Sequence, residues 1–283
     1  NYLRTHGIKD ETTLKLVYIH HLKKDHKIRK SCQELETLLE NYQKFADIKI
    51  KTKSLTEFNE KYLIQTCINL VGDVRPLAVR LSEKIINLEN SWMFSKEKRE
   101  DMALRAIYLY SPLAKILGID SFARELEDTA FKILFPMEFY NLEKAIKKKG
   151  RGTGKIFQEI KKFLKQELAE QNILDTKIEF RTKGIYSTYK KLIRYGLKVE
   201  NLEDSLNKIH DLFALRIIVR TENECYLVES LLQQLWEAIP SARDDYIKDP
   251  RPTGYRAVHN AFWVSKDIIM EVQIRTYEMH QKA

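Results

Sequence analysis

Hydrophobic residues in the first half of the chain recur every three or four positions. Leu35, Leu38, Leu39 and Tyr42 follow this spacing, and the segment 121–134 repeats it. This period places apolar side chains along one face of an α-helix. Because glycine and proline are also scarce there, the pattern predicts that the N-terminal part of the chain is helical.

Two positions are expected to disturb these helices. The helical pattern over residues 104–117 meets Ser111-Pro112, where we expect an interruption, and Gly118, where we expect the helix to end. Proline lacks a backbone N–H, and glycine just past a helix is a common stop. The Lys- and Gly-rich segment 144–154 is expected to be a solvated turn rather than a phosphate-binding loop.

Near Thr176 the pattern changes to the period of two that is typical of half-buried strands. Longer runs of apolar and β-branched residues also appear there, as in central strands. The C-terminal third is therefore predicted to be a mixed sheet with helices between its strands. We expect strands at 177–181, 212–220, 262–264 and 268–274, a hairpin turn at 265–267, and helices at about 184–195 and 222–237.

These elements are best accounted for by an α+β fold with two domains. The length of 283 residues suits two domains at a typical size of ~150 residues each. We expect a helical domain over 1–140, a linker helix region over 141–175 and a sheet-containing domain over 176–283.

The composition indicates a basic protein in a reducing compartment. The formal net charge of +9 favours polyanionic partners such as nucleotides or RNA, although solvated Lys-rich helices explain the bulk of it equally well. Cys32, Cys67 and Cys225 form no C-x-x-C pair, so a reducing cytoplasm is expected rather than a zinc site or disulfides. No secretory signal opens the chain, and no apolar run approaches the ~20 residues of a membrane span. We therefore expect no membrane partner.

The first segment with candidate chemistry joins a strand to a helix at residues 181–191. Lys183, Ser187 and Lys191 are spaced four apart, so they share one face of the helix. Two cations and a hydroxyl near a helix N-terminus suit phosphate groups. On the spacing alone, a solvated basic helix edge is the preferred explanation, so a phosphate site here needs support from the other segments.

Two predicted strands carry carboxylates. Asp211 precedes the apolar strand that contains Arg216, and a guanidinium there generally needs a partner or an aromatic face. Strand alternation places Glu271, Gln273 and Arg275 on one face of the last strand. Asp211 and Glu271 could share a hard divalent cation, since Mg²⁺ typically takes one or two carboxylates together with substrate phosphates.

The loop 243–259 mixes cations with aromatic rings. It contains Arg243, Lys248, Tyr255 and His259, and two prolines and a glycine give it a defined shape. Aromatic faces next to cations are suited to a nucleobase and its phosphates. An ordinary surface loop would not explain why these residues interleave so densely.

Together these segments resemble the synthetase domain of the RelA/SpoT family over residues 176–283. The family pattern runs R-x-K-x-x-Y-S-x-x-x-K, D-x-x-x-x-R, D-Y-I-x-x-P-K-x-x-G-Y and E-x-Q-I-R-T-x-x-M-H, and the chain has all four in order, ending at Met279-His280. Arg251 stands where the family has lysine. Gly254-Tyr255-Arg256 is similar to the small alarmone synthetases, and residues 242–245 are nearer the acidic E-x-D-D of synthesis-only RelA enzymes than the R-x-K-D of bifunctional ones.

The resemblance implies a nucleotidyltransferase-like domain that moves the β,γ-pyrophosphate of ATP to the 3′-hydroxyl of GDP or GTP in the stringent response, with Mg²⁺ as cofactor. Glu271 would help to activate this hydroxyl. The implied sites are an ATP site of Arg181, Lys183, Ser187, Lys191 and Arg216, a metal site of Asp211 and Glu271, and a guanine-nucleotide site of Tyr255, Lys248, His259, Arg243, Gln273 and Arg275.

The helical domain resembles the family's HD-type, Mn²⁺-dependent hydrolase domain, with its chemistry altered. The family's L-L-H-D-x-x-E-D aligns with 18–25, so that His21 replaces a metal-binding Asp and Lys24 replaces the catalytic Glu. The family's A-D-R-L-H-N aligns with 82–87, where Glu83 could still ligate a metal but Ile86 cannot replace His. His20 and His21 diverge by about 100° on a helix and cannot readily share an ion.

The leading hypothesis is therefore a synthesis-only, RelA-like enzyme with an inactive hydrolase domain. One alternative is an enzyme that pyrophosphorylates the 3′ end of tRNA, as some toxin relatives of the fold do. Another is a non-catalytic nucleotide-binding regulator, and a fourth is alarmone hydrolysis. In long relatives a C-terminal region contacts the ribosome and tRNA, and such a region would lie beyond residue 283.

Overall fold

The computed structural model describes residues 3, 10–19, 33–46, 73, 75–116, 119–197, 201–209, 211–250, 254–265 and 268–282. The chain divides into two compact units, residues 1–137 and 138–283. Each unit has its own hydrophobic core. Every helix in the described ranges is too short or too polar to cross a bilayer.

The described part of the first unit is helical, as predicted. Its core contains Leu16, Leu38, Leu39 and Ile85, which are fully or almost fully buried. Phe122 and Phe131 are the largest fully buried side chains of this unit. The spacing of apolar residues therefore predicted the buried faces of these helices. The helices are α1 Glu11–Ile19, α2 Gln33–Ala46, α3 Arg75–Glu89, α4 Lys96–Arg105, α5 Ser111–Ile116 and α6 Asp120–Leu134.

Helices α4 and α5 are joined by a π-helical turn over Ala106–Tyr110. The interruption expected at Ser111-Pro112 is therefore wrong in form, because the helical path continues through a wider turn. The Ser111 N–H donates to the Ala106 carbonyl, five residues back. Proline has no N–H to donate and its ring collides with the carbonyl four residues earlier. The wide π-helical turn before Pro112 accommodates both the missing N–H and the bulk of the proline ring.

The second unit is a mixed sheet with helices, as predicted for the C-terminal third. The elements are α7 Pro136–Lys149, α8 Thr153–Glu170, β1 Lys177–Thr182, α9 Ile185–Arg194, α10 Leu202–Asn207, β2 Phe213–Val219, α11 Glu222–Leu235, β3 Glu237–Ala238, β4 Asp244–Asp245, β5 Val258–Ser265, β6 Ile268–Thr276 and α12 Tyr277–Lys282. The strand order in the sheet is β1-β2-β6-β5-β3, with β4 also pairing β5. Strands β2 and β6 are parallel and the other pairs are antiparallel.

One face of this sheet is apolar and packs against helices. Leu215 and Ile217 on β2 and Val272 and Ile274 on β6 are fully buried there. Helices α8 and α11 contribute to the same core. The segment 141–175, which we expected to be a linker helix region, is largely helical and supplies core residues to the second unit. The opposite face of the sheet is left for polar side chains.

Candidate active site

The polar face of the sheet carries a row of side chains that crosses five strands. Strand pairing places Glu179 opposite Arg216, Arg216 opposite Gln273, and Gln273 opposite His259. His259 in turn lies opposite Asp244 on β4. Paired residues of neighbouring strands point to the same face. The pairing register therefore gathers residues from distant parts of the chain into one surface.

A second row on the same face surrounds Glu271 with small residues. Glu271 pairs with Ala214 on β2 and with Ala261 on β5, and Ala214 pairs with Arg181 on β1. Both alanines are buried, whereas 21% of the Glu271 side chain is exposed. The predicted alternation of Glu271 and Gln273 on one face of β6 is confirmed, because both are partly exposed while their neighbours Val272 and Ile274 are buried.

Asp211 lies at the start of β2 and contacts two lysines. Its carboxylate oxygens are 2.7 Å from the Lys183 Nζ and 2.8 Å from the Lys191 Nζ. Burial alone would raise the pKa of the Asp211 carboxyl, but the two ammonium groups outweigh it and lower this pKa below its usual value. The two lysines that were predicted to bind phosphate therefore both contact the Asp211 carboxylate.

The turn from β1 into α9 positions these lysines. The Lys183 N–H donates to the Leu212 carbonyl at 2.9 Å, which ties the turn to the start of β2. Inside α9, the Thr188 hydroxyl is buried and donates to the Gly184 carbonyl at 2.9 Å. Ser187 lies on the same helix between the two lysines and is half-buried. Lys183 precedes α9, so the predicted helix face holds only for Ser187 and Lys191, and Lys183 joins Lys191 through their shared contact with Asp211.

Glu271 belongs to a chain of hydrogen-bonding groups. Its Oε1 atom is 3.0 Å from the His259 Nδ1, and the His259 Nε2 is 2.7 Å from the Tyr255 hydroxyl. Gln273 donates from Nε2 to the Glu271 Oε2 at 3.1 Å. The His259 Nδ1 can donate to the carboxylate, while its Nε2 shares a hydrogen bond with the Tyr255 hydroxyl. These contacts fix the orientation of the Glu271 carboxylate.

Aromatic rings surround His259. The Tyr246 ring lies edge-on to His259 with centroids 5.2 Å apart, and the Tyr255 ring does the same at 5.6 Å. Tyr246 also donates to Asp244 at 2.9 Å. The predicted guanine-site residues Tyr255 and His259 are therefore adjacent.

Arg275 and the last helix complete this part of the face. Arg275 is 4% exposed, and its Cζ lies 5.9 Å from the centroid of the Tyr255 ring. Its Nη2 atom is 2.6 Å from the Nδ1 of His280 on α12. Burial, followed by the charges of Arg275 and Arg216, lowers the pKa of His280.

Two predicted guanine-site residues point elsewhere. Arg243 makes a two-point contact with Glu229 of α11, at 2.8 Å from Nε and 2.9 Å from Nη2. The Lys248 ammonium lies 5.6 Å from the centroid of the Tyr226 ring, also on α11. Because α11 covers the apolar face, the structure does not bring these two side chains to the polar face.

Arg243→Met is therefore expected to lower stability rather than nucleotide affinity. Glu229 is 5% exposed and would keep only the Asn260 amide at 3.3 Å. We expect the free energy of unfolding to fall by about 2–3 kcal/mol, less than for a fully buried pair because the Arg243 side chain is 39% exposed. Urea unfolding measures this change.

The matched control for this variant is Arg220→Met. Arg220 pairs with Asp175 at 2.8 Å, but both side chains are largely exposed, so little or no change in the free energy of unfolding is expected. An Arg243→Met protein with unchanged unfolding and a weakened affinity for GDP would instead restore the predicted binding role of Arg243.

Glu179 and His280 were not among the site residues predicted from the sequence. Glu179 lies 3.4 Å from Arg216 and shares its face. The alternation that placed Arg181 on a strand also places Glu179 beside it, so the signal was present. His280 was part of the quoted motif, but its contact with Arg275 depends on how α12 turns back after β6, which no local pattern specifies.

In the first unit, the remaining acidic position of the hydrolase-like motif is engaged internally. The Glu83 Oε2 accepts from the Tyr42 hydroxyl at 2.5 Å and from the Arg80 Nη1 at 3.0 Å. His20, His21 and Lys24 lie outside the described residues. Across the described ranges, no group of three or more His, Cys, Asp or Glu is arranged to hold a metal ion.

Fold and site together define a class of protein: a two-unit chain whose mixed sheet presents carboxylates, cations and aromatic rings on one face. Residues 180–283 match the family model described as a region found in RelA/SpoT proteins. A guanosine-3′,5′-bis(diphosphate) 3′-pyrophosphohydrolase of Aquifex aeolicus is 31% identical over 89% of this chain and 34% of its own length. A GTP pyrophosphokinase of Myxococcus xanthus is 32% identical over 76% of this chain and 28% of its own.

The chain belongs to the RelA/SpoT family. It spans about a third of the length of the curated relatives that it matches. Among solved structures, the small alarmone synthetase 1 of Bacillus subtilis, bound to its product pppGpp, is similar over 49% of this chain and 75% of that chain. That likeness has 18% identity and a TM-score of 0.39, which is too low to support an argument about function.

Proposed function

We propose that this chain is a (p)ppGpp synthetase, which transfers the β,γ-pyrophosphate of ATP to the 3′-hydroxyl of GDP or GTP. The observation that carries the proposal is the placement of two groups at neighbouring strands, with Asp211 just before β2 and Glu271 on β6. Asp211 with its two lysines suits the phosphates of a donor. Glu271, with His259 and Tyr255, suits a hydroxyl next to a nucleobase. The Myxococcus xanthus relative, which is named a GTP pyrophosphokinase, supports the same reaction.

On the donor side, the lysines would hold ATP by its phosphates. Lys183 and Lys191 are partly buried, so their charges would be less screened than at an open surface. Arg181 and Arg216 lie on neighbouring strands of the same face, two residues apart in register. Planar guanidinium groups stack well on aromatic rings, so these two would hold the adenine.

Asp211 and Glu271 fit Mg²⁺ as a cofactor. Each side chain is about four-fifths buried, with 20% and 21% exposed. Both carboxylates are hard oxygen donors, and Asp211 lies just before β2, the strand that pairs with the one carrying Glu271. When bound, the ion would neutralise charge on the ATP phosphates.

On the acceptor side, Glu271 would take the proton from the 3′-hydroxyl. The 3′-oxygen then forms a bond to the β-phosphorus of ATP, the bond from that phosphorus to the α,β-bridging oxygen breaks, and AMP leaves with the bridging oxygen. His259 and Gln273 hold the carboxylate in place, and Tyr255 would stack on the guanine. The protein thus contributes mainly positioning and charge neutralisation.

The test is to incubate the protein with γ-labelled ATP, Mg²⁺ and GDP, GTP or bulk tRNA, and to separate the products. Label in ppGpp or pppGpp is expected. Label in tRNA alone would favour the tRNA-modifying alternative, which the net charge of +9 permits. Nucleotide binding without any transfer would favour a regulatory module.

We also propose that the first unit lacks hydrolase activity. Ile86 cannot ligate a metal, and Lys24 cannot act as the family's catalytic carboxylate. The Glu83 carboxylate is occupied by Arg80 and Tyr42, which supports the proposal. Relatives named as hydrolases make the opposite outcome worth measuring. Mn²⁺-dependent release of pyrophosphate from ppGpp by the chain would overturn this part of the proposal.

A further inference from the structure

Arg275 connects the last helix to the proposed guanine site. Arg275 is almost completely buried. Its guanidinium carbon lies 5.9 Å from the centroid of the Tyr255 ring, and its Nη2 contacts the His280 Nδ1. Tyr255 continues the connection through His259 to Glu271. A run of contacts therefore extends from α12 to the carboxylate that we propose activates the acceptor.

The hydrogen bond between Arg275 and His280 determines the protonation state of the His280 ring. Arginine only donates hydrogen bonds, so the His280 Nδ1 must accept across the 2.6 Å that separates it from the Arg275 Nη2. The ring is then neutral at this contact. The nearby charges of Arg275 and Arg216 disfavour its protonation.

We infer that His280 is a positioning residue for the guanine acceptor. It holds the Arg275 guanidinium against the Tyr255 ring, so that the ring presents a fixed face to the base. This inference rests on the proposed function in assigning Tyr255 to the guanine. A guanidinium released from His280 has other orientations available, and the ring that it contacts loses one of its constraints.

The test compares two substitutions by the equilibrium binding of GDP and of the non-hydrolysable analogue AMP-CPP. His280→Ala removes the acceptor, whereas His280→Asn places its Oδ1 close to the position of the original Nδ1. We expect GDP affinity to fall about 10-fold in His280→Ala, as for the loss of one hydrogen bond to a charged group. AMP-CPP affinity should stay within about twofold, and His280→Asn should recover most of the loss.

A control on the same helix is Tyr277→Phe, which removes only a hydroxyl that lies 3.3 Å from Asp175. It should leave both affinities unchanged. Equal weakening of GDP and AMP-CPP in His280→Ala, together with a lower melting temperature, would reduce His280 to a structural role and overturn the inference. Unchanged GDP affinity in His280→Ala would do the same.

The binding measurement also separates this inference from the proposed function. If the wild-type protein binds GDP and AMP-CPP but transfers no pyrophosphate, the proposed function fails while the two variants still decide the role of His280. If the wild-type protein does not bind GDP, the proposed function and the inferred role of His280 are both refuted.

Discussion

Replacing Asp211 with asparagine is expected to lower the rate of pyrophosphate transfer by about 1000-fold, at the upper end of what removing one charge-stabilising group costs. The substitution keeps the shape of the side chain and removes its charge. Lys183 and Lys191 then lose their shared counter-ion, and one of the two carboxylates proposed for Mg²⁺ is gone. The rate of AMP formation at saturating ATP and GDP measures the effect.

The matched control for this prediction is Asp204→Asn. Asp204 is an exposed residue of α10 in the same unit, so its substitution alters the net charge equally without touching the polar face. It should retain wild-type activity. An Asp211→Asn protein that is folded and keeps more than a tenth of the wild-type rate would remove Asp211 from the proposed site.

Glu271→Gln is expected to lower kcat by about 100- to 10,000-fold with little change in the KM for GDP, the range typical of a lost general base. The glutamine can still accept from the His259 Nδ1 that lies 3.0 Å from the present Oε1. Orientation is thus largely kept while the proton acceptor is lost. Steady-state kinetics with varied GDP separate kcat from KM.

Glu237→Gln provides the comparison, because Glu237 is an exposed residue of the edge strand β3. It should behave as wild type. If Glu271→Gln instead raised the KM for GDP and left kcat unchanged, Glu271 would be a binding residue. Another group would then have to accept the proton of the 3′-hydroxyl.

Much of the fold follows from local periodicity, because each helix or strand buries one face. Alternation along β6 predicted that Glu271 and Gln273 share a face, an inference that needs only the geometry of one strand. The strand burial pattern confirms it. The helical spacing did not place Lys183, which precedes α9; Lys183 and Lys191 meet because both contact Asp211.

The remaining features depend on partners that are distant in sequence. Arg243 was assigned to the nucleotide site because it belongs to a basic, aromatic loop, but its direction is set by the buried Glu229 of α11. The row from Glu179 to Asp244 requires the pairing register of five strands. Neither the identity nor the spacing of neighbouring residues determines such a register.

The most direct test of the central claim is to identify both products formed from ATP and GDP in the presence of Mg²⁺, by ³¹P NMR. For the proposed transfer, we expect AMP and a guanosine that carries a new pyrophosphate on its 3′-oxygen, in equal amounts. ADP as the nucleotide product would show transfer of a single phosphate and contradict the account. AMP without a modified guanosine would contradict it as well, because the guanine nucleotide would then not be the acceptor.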